Sequence, residues 1–377
     1  MAVSHKTSNT RHINPFKPTA GAEPPQLVGR EGVLDEFTYG LKIRSGAPGL
    51  LTVMSGARGV GKTVMLNEAE YAARQEGWVV ISETATPGFS ERIGALARTY
   101  QQELGEKPPT RRLTGVAVAG VSISTTLLPE EQVDTRHSLK ELLHILDTQG
   151  TGLLITLDEI HAADRQELSL LASWIQHYIR ESLPVALVFA GLPAAVSDLL
   201  NEGVATFLRR ADRIDLAAVA IEDVAESYRH TFKPLDVVIG DAVLAQAAQV
   251  TGGYPFMIQL VGYHLWKIAE RLEPGSVVTE EDARLAFDEA RRRNRRMVIE
   301  SALATVSAKD LDFLQAMAVD DGASAVSAIA ERMDAAKNTV GNYRSRLIAT
   351  GLIEPAGYGK VQFTLPGLRE YLRSLEG

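Results

Sequence analysis

The sequence predicts an α/β protein: a parallel sheet flanked by helices, then a helical region, then a small helix-turn-helix unit. Three observations predict it. Between about residues 49 and 216, short apolar runs alternate with longer helical patterns, as in a parallel sheet covered by helices. From 221 to about 299 strand signals fade and helical spacing takes over. Beyond 303, short helices joined by a close turn precede two short strands about a Gly-Tyr-Gly tip.

Taken in order, residues 1–26 carry Pro15, Pro18, Pro24 and Pro25 among polar residues and read as an extended arm with no core of its own. A helix-like pattern starts after Gly29. Strands are expected at 50–54, 78–82, 153–157, 185–190 and 213–216, and their uninterrupted apolar character fits strands buried on both faces. Helices are expected at 62–76, 90–104, 137–148, 165–182 and 193–201. The stretch 113–126 alternates small and β-branched residues around Gly120 and reads as an inserted hairpin. Helices at 221–232, 240–250, 255–271 and 279–299 make an all-helical second domain. The expected parts are therefore an arm (1–26), a core (27–220), a helical domain (221–299) and a C-terminal unit (300–377).

Composition bounds the function. A chain of 377 residues has room for two or three domains. Hydrophobic content of 45% and charged content of 23% are those of an ordinary soluble globular protein. Thirty-nine basic against 47 acidic residues, a net charge of −8, excludes a uniformly basic coat but not a local basic patch. The absence of cysteine excludes disulfides, zinc–thiolate sites, iron–sulfur clusters and cysteine nucleophiles, and fits a reducing cytoplasm. No run approaches the roughly 18 apolar residues of a membrane helix. The N-terminus has no apolar stretch of a secretory leader. A soluble, cytoplasmic protein with no membrane partner is expected.

Residues 56–63, GARGVGKT, fit G-x-x-x-x-G-K-[ST] at every fixed position, a match expected by chance in roughly 1% of chains this long. The motif follows an apolar strand and precedes a helix, as a phosphate loop requires. Gly56, Gly59 and Gly61 let the backbone wrap closely around phosphates. The stretch Gly56, Ala57, Arg58, Gly59, Val60, Gly61, Lys62, Thr63 and Val64 presents backbone N–H groups and a helix N-terminus to a nucleotide. Lys62 is expected to neutralise β- and γ-phosphate charge, and Thr63 to ligate Mg²⁺. The competing reading is a glycine-rich turn capped by Thr63.

Residues 153–160, LLITLDEI, deliver two carboxylates to a strand's C-terminal end, where open α/β sheets bind ligands. Asp158 is expected in the Mg²⁺ shell and Glu159 on the attacking water. A plain N-cap of the next helix is the alternative. His161 follows and reads as a surface residue at a helix start.

Together the two motifs resemble those of AAA+ P-loop ATPases, nearest the initiator, transposition-regulator and STAND-like groups. The resemblance spans about residues 25–299, and implies an AAA+ core with a helical lid that binds ATP or ADP with Mg²⁺. It places LVGRE, hence Val28 and Gly29, against the adenine. It places Arg209 and Arg210, in FLRRADRIDL, as catalytic arginines facing a neighbour's nucleotide, which implies a nucleotide-dependent homo-oligomer. GGYPFMIQL (252–260) resembles the G-x-P element of STAND switches and places Pro255 on the base side of the nucleotide. Two departures stand out: Gly191 sits where many relatives carry a polar sensor, and 252–260 has no sensor arginine. Missing sensors imply slow hydrolysis or a nucleotide-state switch. Surface basic residues and a helix start with proline at its first position are the plain alternatives for these assignments.

The C-terminal segment resembles a winged helix-turn-helix. Helical spacing buries Val340, Tyr343 and Leu347 and turns Asn338, Asn342, Ser345 and Arg346 outward. Asn and Arg suit base edges in duplex DNA, while Lys337 and Arg344 suit phosphate. Residues 300–377 hold eight basic and ten acidic residues, so the basic face is local. The run RRRNRR (291–296) is a second candidate for phosphate contact, or a solvated interdomain helix. The expected output is nucleotide-dependent regulation associated with DNA. The rivals are a STAND-like switch that binds a protein partner through its winged helix, and a nucleotide-binding scaffold with negligible turnover.

Overall fold

The structure is a computed structural model and describes residues 12–19, 24, 27–105, 135–201 and 206–375. The hairpin expected at 113–126 lies outside the described residues. The chain falls into two compact units, Gly32–Ala217 and Met1–Glu31 with Ala218–Gly377.

The first unit runs α1 (Asp35–Ile43), β1 (Leu51–Gly56), α2 (Lys62–Gln75), β2 (Val79–Thr84), α3 (Phe89–Gly105), α4 (Thr135–Thr148), β3 (Leu153–Asp158), α5 (Arg165–Arg180), β4 (Val185–Gly191), α6 (Pro193–Asn201) and β5 (Asp212–Leu216). The five strands form one parallel sheet in the order β2-β3-β4-β1-β5. Burial explains the strand sequences. Every residue of the interior strand β4 is buried, which its continuous apolar run requires, whereas edge strand β5 alternates buried Ile214 and Leu216 with exposed Arg213 and Asp215. On α4, Leu139, Leu142, Leu143 and Leu146 repeat at helical spacing and pack into the same core as Phe89, Ile93 and Ala97 of α3. Because all strands are parallel, the ends of β1 and β3 lie on one sheet edge. The next helix after β3 starts at an N-cap, Asp164, whose carboxylate accepts from the Gln166 and Glu167 N–H groups at 2.9 and 3.1 Å.

The second unit contains α7 (Ile221–Phe232), β6 (Val238–Ile239), α8 (Asp241–Thr251), α9 (Pro255–Ala269), β7 (Val277–Val278) and α10 (Glu280–Asn294). The expected all-helical domain thus carries a parallel strand pair, Val238–Ile239 beside Val277–Val278. Two residues per strand are too few for a period to register in the sequence. A capping box, Thr279 with Asp282, starts α10. The helix continues through one π turn, Arg295–Ile299, into α11 (Glu300–Leu303).

The arm contributes to this unit's core. Phe16 is buried against Tyr228, Phe232 and Trp266, with ring centroids 5.8, 5.5 and 6.4 Å away. Asn14 Nδ2 donates to the Tyr263 carbonyl at 3.1 Å, and the Lys17 N–H to Gln259 Oε1 at 3.0 Å.

The remaining elements are α12 (Ala308–Ala318), β8 (Ser324–Ala325), α13 (Val326–Arg332), α14 (Lys337–Ala349), β9 (Ile353–Pro355), β10 (Lys360–Phe363) and α15 (Leu368–Arg373). Directly before α13, β8 pairs antiparallel with β10 in a sheet ordered β8-β10-β9. Phe313, Met317, Ile329, Val340, Leu347 and Val361 share the core. Two contacts tie this segment to the preceding helix: Asn294 Nδ2 donates to the Pro366 carbonyl at 3.1 Å, and the Arg295 guanidinium lies 5.3 Å over the Tyr371 ring.

Candidate functional site

The site lies where β1 and β3 end. Gly56 closes β1 with no room for a side chain: an added Cβ would sit 2.6 Å from Val60 Cγ2 and 2.7 Å from the Leu216 carbonyl oxygen. Gly59 and Gly61 take φ of 77° and 95°, a left-handed conformation that costs glycine least. The loop therefore turns back on itself and opens directly into α2. Its arch is partly open, with Arg58 and Gly59 exposed, Ala57, Gly61 and Val64 half-buried, and Val60 buried as its hydrophobic anchor.

Lys62 is buried, with Nζ donating to the Gly56 and Ala57 carbonyls at 2.9 Å each. Burial lowers its pKa, and the carboxylates of Glu159 and Asp158 oppose that shift. Thr63 Oγ1 donates to Asp158 Oδ2 at 2.5 Å, joining the first turn of α2 to the end of β3. Asp158 Oδ1 accepts from the Glu159 N–H at 2.8 Å. The hydroxyl of Thr63 and the carboxylate of Asp158 form a hard oxygen pair, a donor set that fits Mg²⁺. Behind this pair, buried Glu70 of α2 accepts from Thr156 Oγ1 at 2.6 Å and from Arg74 at 3.0 Å, fixing α2 against β3.

Glu159 has φ of 57° and ψ of 41°, left-handed values uncommon for a non-glycine residue. Its Oε2 lies 3.0 Å from His161 Nε2. That hydrogen bond is the main reason its pKa is lowered, and Lys62 and Arg58 add to the effect. His161, expected as a plain surface residue, is only 21% exposed in its side chain and belongs to the site. Its position two residues after Glu159 was the available signal.

Gly191, at the place of the missing polar sensor, has a packing cause. A Cβ there would lie 2.4 Å from Ile160 Cγ1, and Ile160 is buried beside Glu159.

Arg209 Nε and Nη2 donate to the Leu200 and Asn201 carbonyls at 2.8 and 3.2 Å, capping the C-terminal end of α6. This occupies the guanidinium expected to face a neighbour; adjacent Arg210 is exposed.

Val28, Gly29 and Pro255 belong to the other unit. There, Gly29 and Gly253 converge on Val219. A Cβ at Gly29 would lie 3.0 Å from Val219 Cγ1, one at Gly253 would lie 2.0 Å from the Val219 carbonyl oxygen, and the Val219 N–H donates to the Gly253 carbonyl at 2.8 Å. Pro255 opens α9 at its first turn.

On α14, Asn338 and Asn342 are exposed and Arg344 is half-buried. Arg346 is exposed and also paired within its own unit. Its Nη2 and Nε donate to Asp310 at 2.7 and 3.3 Å, and its guanidinium lies 5.0 Å over the Tyr343 ring. A buried carboxylate on α12, also bonded by Ser307 Oγ at 2.6 Å, holds the arginine that helical spacing assigns to base edges. On α10, Arg291 and Arg292 pair with Asp288 and Glu289 one turn earlier. Arg293 and Arg296 are exposed.

Residues 26–188 match the family described as AAA ATPase domain. This segment is an AAA ATPase domain. Residues 296–372 match a second family, described as Domain of unknown function (DUF8462). No curated protein matches the chain. Among solved structures, the Aeropyrum pernix ORC2 protein in its ADPNP–ADP complexes is 15% identical, over 95% of this chain and 95% of its own, with a TM-score of 0.62. The Walker-type ATPase PABY2304 of Pyrococcus abyssi is 16% identical over 93% and 97%, with a TM-score of 0.65. At such identities the likeness is one of fold. The AAA ATPase domain supplies the loop, the lysine and both carboxylates of the site. Among the described residues, no helix is long and apolar enough to cross a membrane.

Proposed function

We propose that the chain binds ATP with Mg²⁺ at the β1–β3 edge, hydrolyses it slowly, and uses the nucleotide state as a switch in DNA-associated regulation. The observation that carries the reading is the Thr63–Asp158 bond at 2.5 Å, which joins phosphate loop and acidic strand end into one donor set. Mg²⁺ bound there supplies neutralising charge to phosphate oxygens. The Gly56–Val64 backbone binds phosphate through its N–H groups, and Lys62 adds a positive charge at the same place. Glu159 accepts a proton from the attacking water. The absence of a polar side chain at Gly191 and of an arginine in 252–260 supports slow turnover. Lys62→Ala is expected to weaken binding of a fluorescent ATP analogue about a hundredfold, because alanine cannot make the charge-assisted hydrogen bond to phosphate. Unchanged affinity would remove the phosphate-loop reading.

The order α12, β8, α13, α14, β9, β10 supports a winged helix over residues 300–377, with duplex DNA met by Lys337, Asn338, Asn342 and Arg344. Arg293 and Arg296, both exposed, are further candidates for phosphate contact. The double substitution Arg293→Glu with Arg296→Glu is expected to weaken duplex binding and to flatten the slope of log K against log salt by about 2, near 0.9 for each phosphate no longer neutralised. An unchanged slope would take the basic helix out of the interface. The Arg346–Asp310 pair, which engages one base-reading candidate within the unit, supports a second reading: a protein partner on this unit. Partner-dependent oligomerisation without DNA is its signature. Arg210 is the remaining candidate to act across a homo-oligomer interface.

A further inference from the structure

We infer that His161 is a positioning residue for hydrolysis: its Nε2–H holds Glu159 in the one orientation that leaves Oε1 open to the attacking water. This rests on the reading of Glu159 as the water-activating carboxylate. Glu159 is 45% exposed in its side chain, and a carboxylate that open samples several rotamers unless something fixes it. Backbone geometry alone does not fix it. The left-handed φ and the bond from its N–H to Asp158 set where the side chain starts, not where the carboxylate ends. The bond from His161, at 3.0 Å, sets the second point.

The ring is itself held. His161 lies in a 3₁₀ turn, Ile160–Ala162, closed by the Ala162 N–H donating to the Glu159 carbonyl at 2.8 Å. Ile160 locks that turn by packing on Gly191 at the end of β4. The proton can be placed as well. His161 Nδ1 is buried and, among the described residues, has no partner. A bare acceptor there is tolerated better than an unpaired N–H, so the tautomer carries its proton on Nε2, facing the carboxylate. The Ile160–Gly191 contact thereby gives the glycine at the sensor position a role: it seats the turn that carries His161.

The test compares wild type, His161→Ala, His161→Gln and Glu159→Gln as full chains. ATP turnover and affinity for a fluorescent ADP analogue are measured for each. His161→Ala is expected to lower kcat about tenfold, with KM and ADP-analogue affinity within twofold. His161→Gln, whose amide N–H reaches the Nε2 position, is expected to recover at least half of the lost rate. The ring nitrogen shifts of His161 in chain labelled with ¹⁵N-histidine, without nucleotide, are expected to show the Nε2–H tautomer and to change in Glu159→Ala. An unchanged or faster rate in His161→Ala overturns the inference, as does a loss that glutamine does not recover. Retained turnover in Glu159→Gln sinks the underlying assignment of Glu159 instead. A wild-type chain with no turnover takes both down.

Discussion

Glu159→Gln is expected to lower kcat by about 10²–10⁴ while leaving ATP affinity within twofold. The separation follows from where the two carboxylates spend their lone pairs. Asp158 is engaged on both oxygens, by Thr63 and by the Glu159 N–H, so it belongs to the binding apparatus. Glu159 directs one oxygen toward His161, and changing its side chain leaves the Thr63–Asp158 and Lys62–loop bonds in place. Glutamine keeps the shape and the acceptor oxygen toward His161 but cannot take a proton. The lowered pKa of Glu159 keeps it ionised at neutral pH, the form a general base needs. Its stabilising contribution is present above its ordinary carboxylate pKa and fades as pH falls through the lower folded value. Phosphate release under saturating ATP, paired with a binding titration of the same variant, reads both sides. Retained hydrolysis would mean that another group activates the water.

The strand pattern was legible because interior strands of a parallel sheet are buried on both faces, so LLITL and VALVFA announce themselves as continuous apolar runs. The phosphate loop was legible because its geometry forces residue types: the 2.6 Å approach at Gly56 and the positive φ at Gly59 and Gly61 admit little else. What escaped depends on contacts distant in sequence or on very short elements. A helical wheel turns Arg346 toward solvent, but does not show its pairing with Asp310, 36 residues away on another helix. Arg209 reads as a finger, and nothing in its own segment announces the bonds it makes to the end of α6. Gly191 reads as a missing sensor, but the contact that requires a glycine there comes from Ile160, on the loop after another strand. The strand pairs at 238–239 with 277–278, and at 324–325 with 360–361, fall below any detectable period.

Phe16→Ala is expected to destabilise the unit containing α7–α9 by about 3–5 kcal/mol, the cost of emptying a buried phenyl site. A phenylalanine in a proline-rich polar arm gives no sequence signal of burial, yet Phe16 is 4% exposed and touches three aromatic rings. The seat is shaped for it from the far side as well. A Cβ on Gly262 of α9 would lie 2.3 Å from Phe16 Cε1, so that glycine is small because the ring lies over it. Gly262→Leu is accordingly expected to destabilise by expelling the ring, through overpacking of about 1–3 kcal/mol or more. The double variant separates this account from a general weakening of α9. With Phe16 reduced to alanine, the leucine at 262 has the vacated space to fill, and the two losses become strongly non-additive. Denaturant unfolding of the four chains gives the coupling energy directly. Two losses that simply add would mean that the ring and the glycine do not share a seat, and that the arm is not anchored by Phe16.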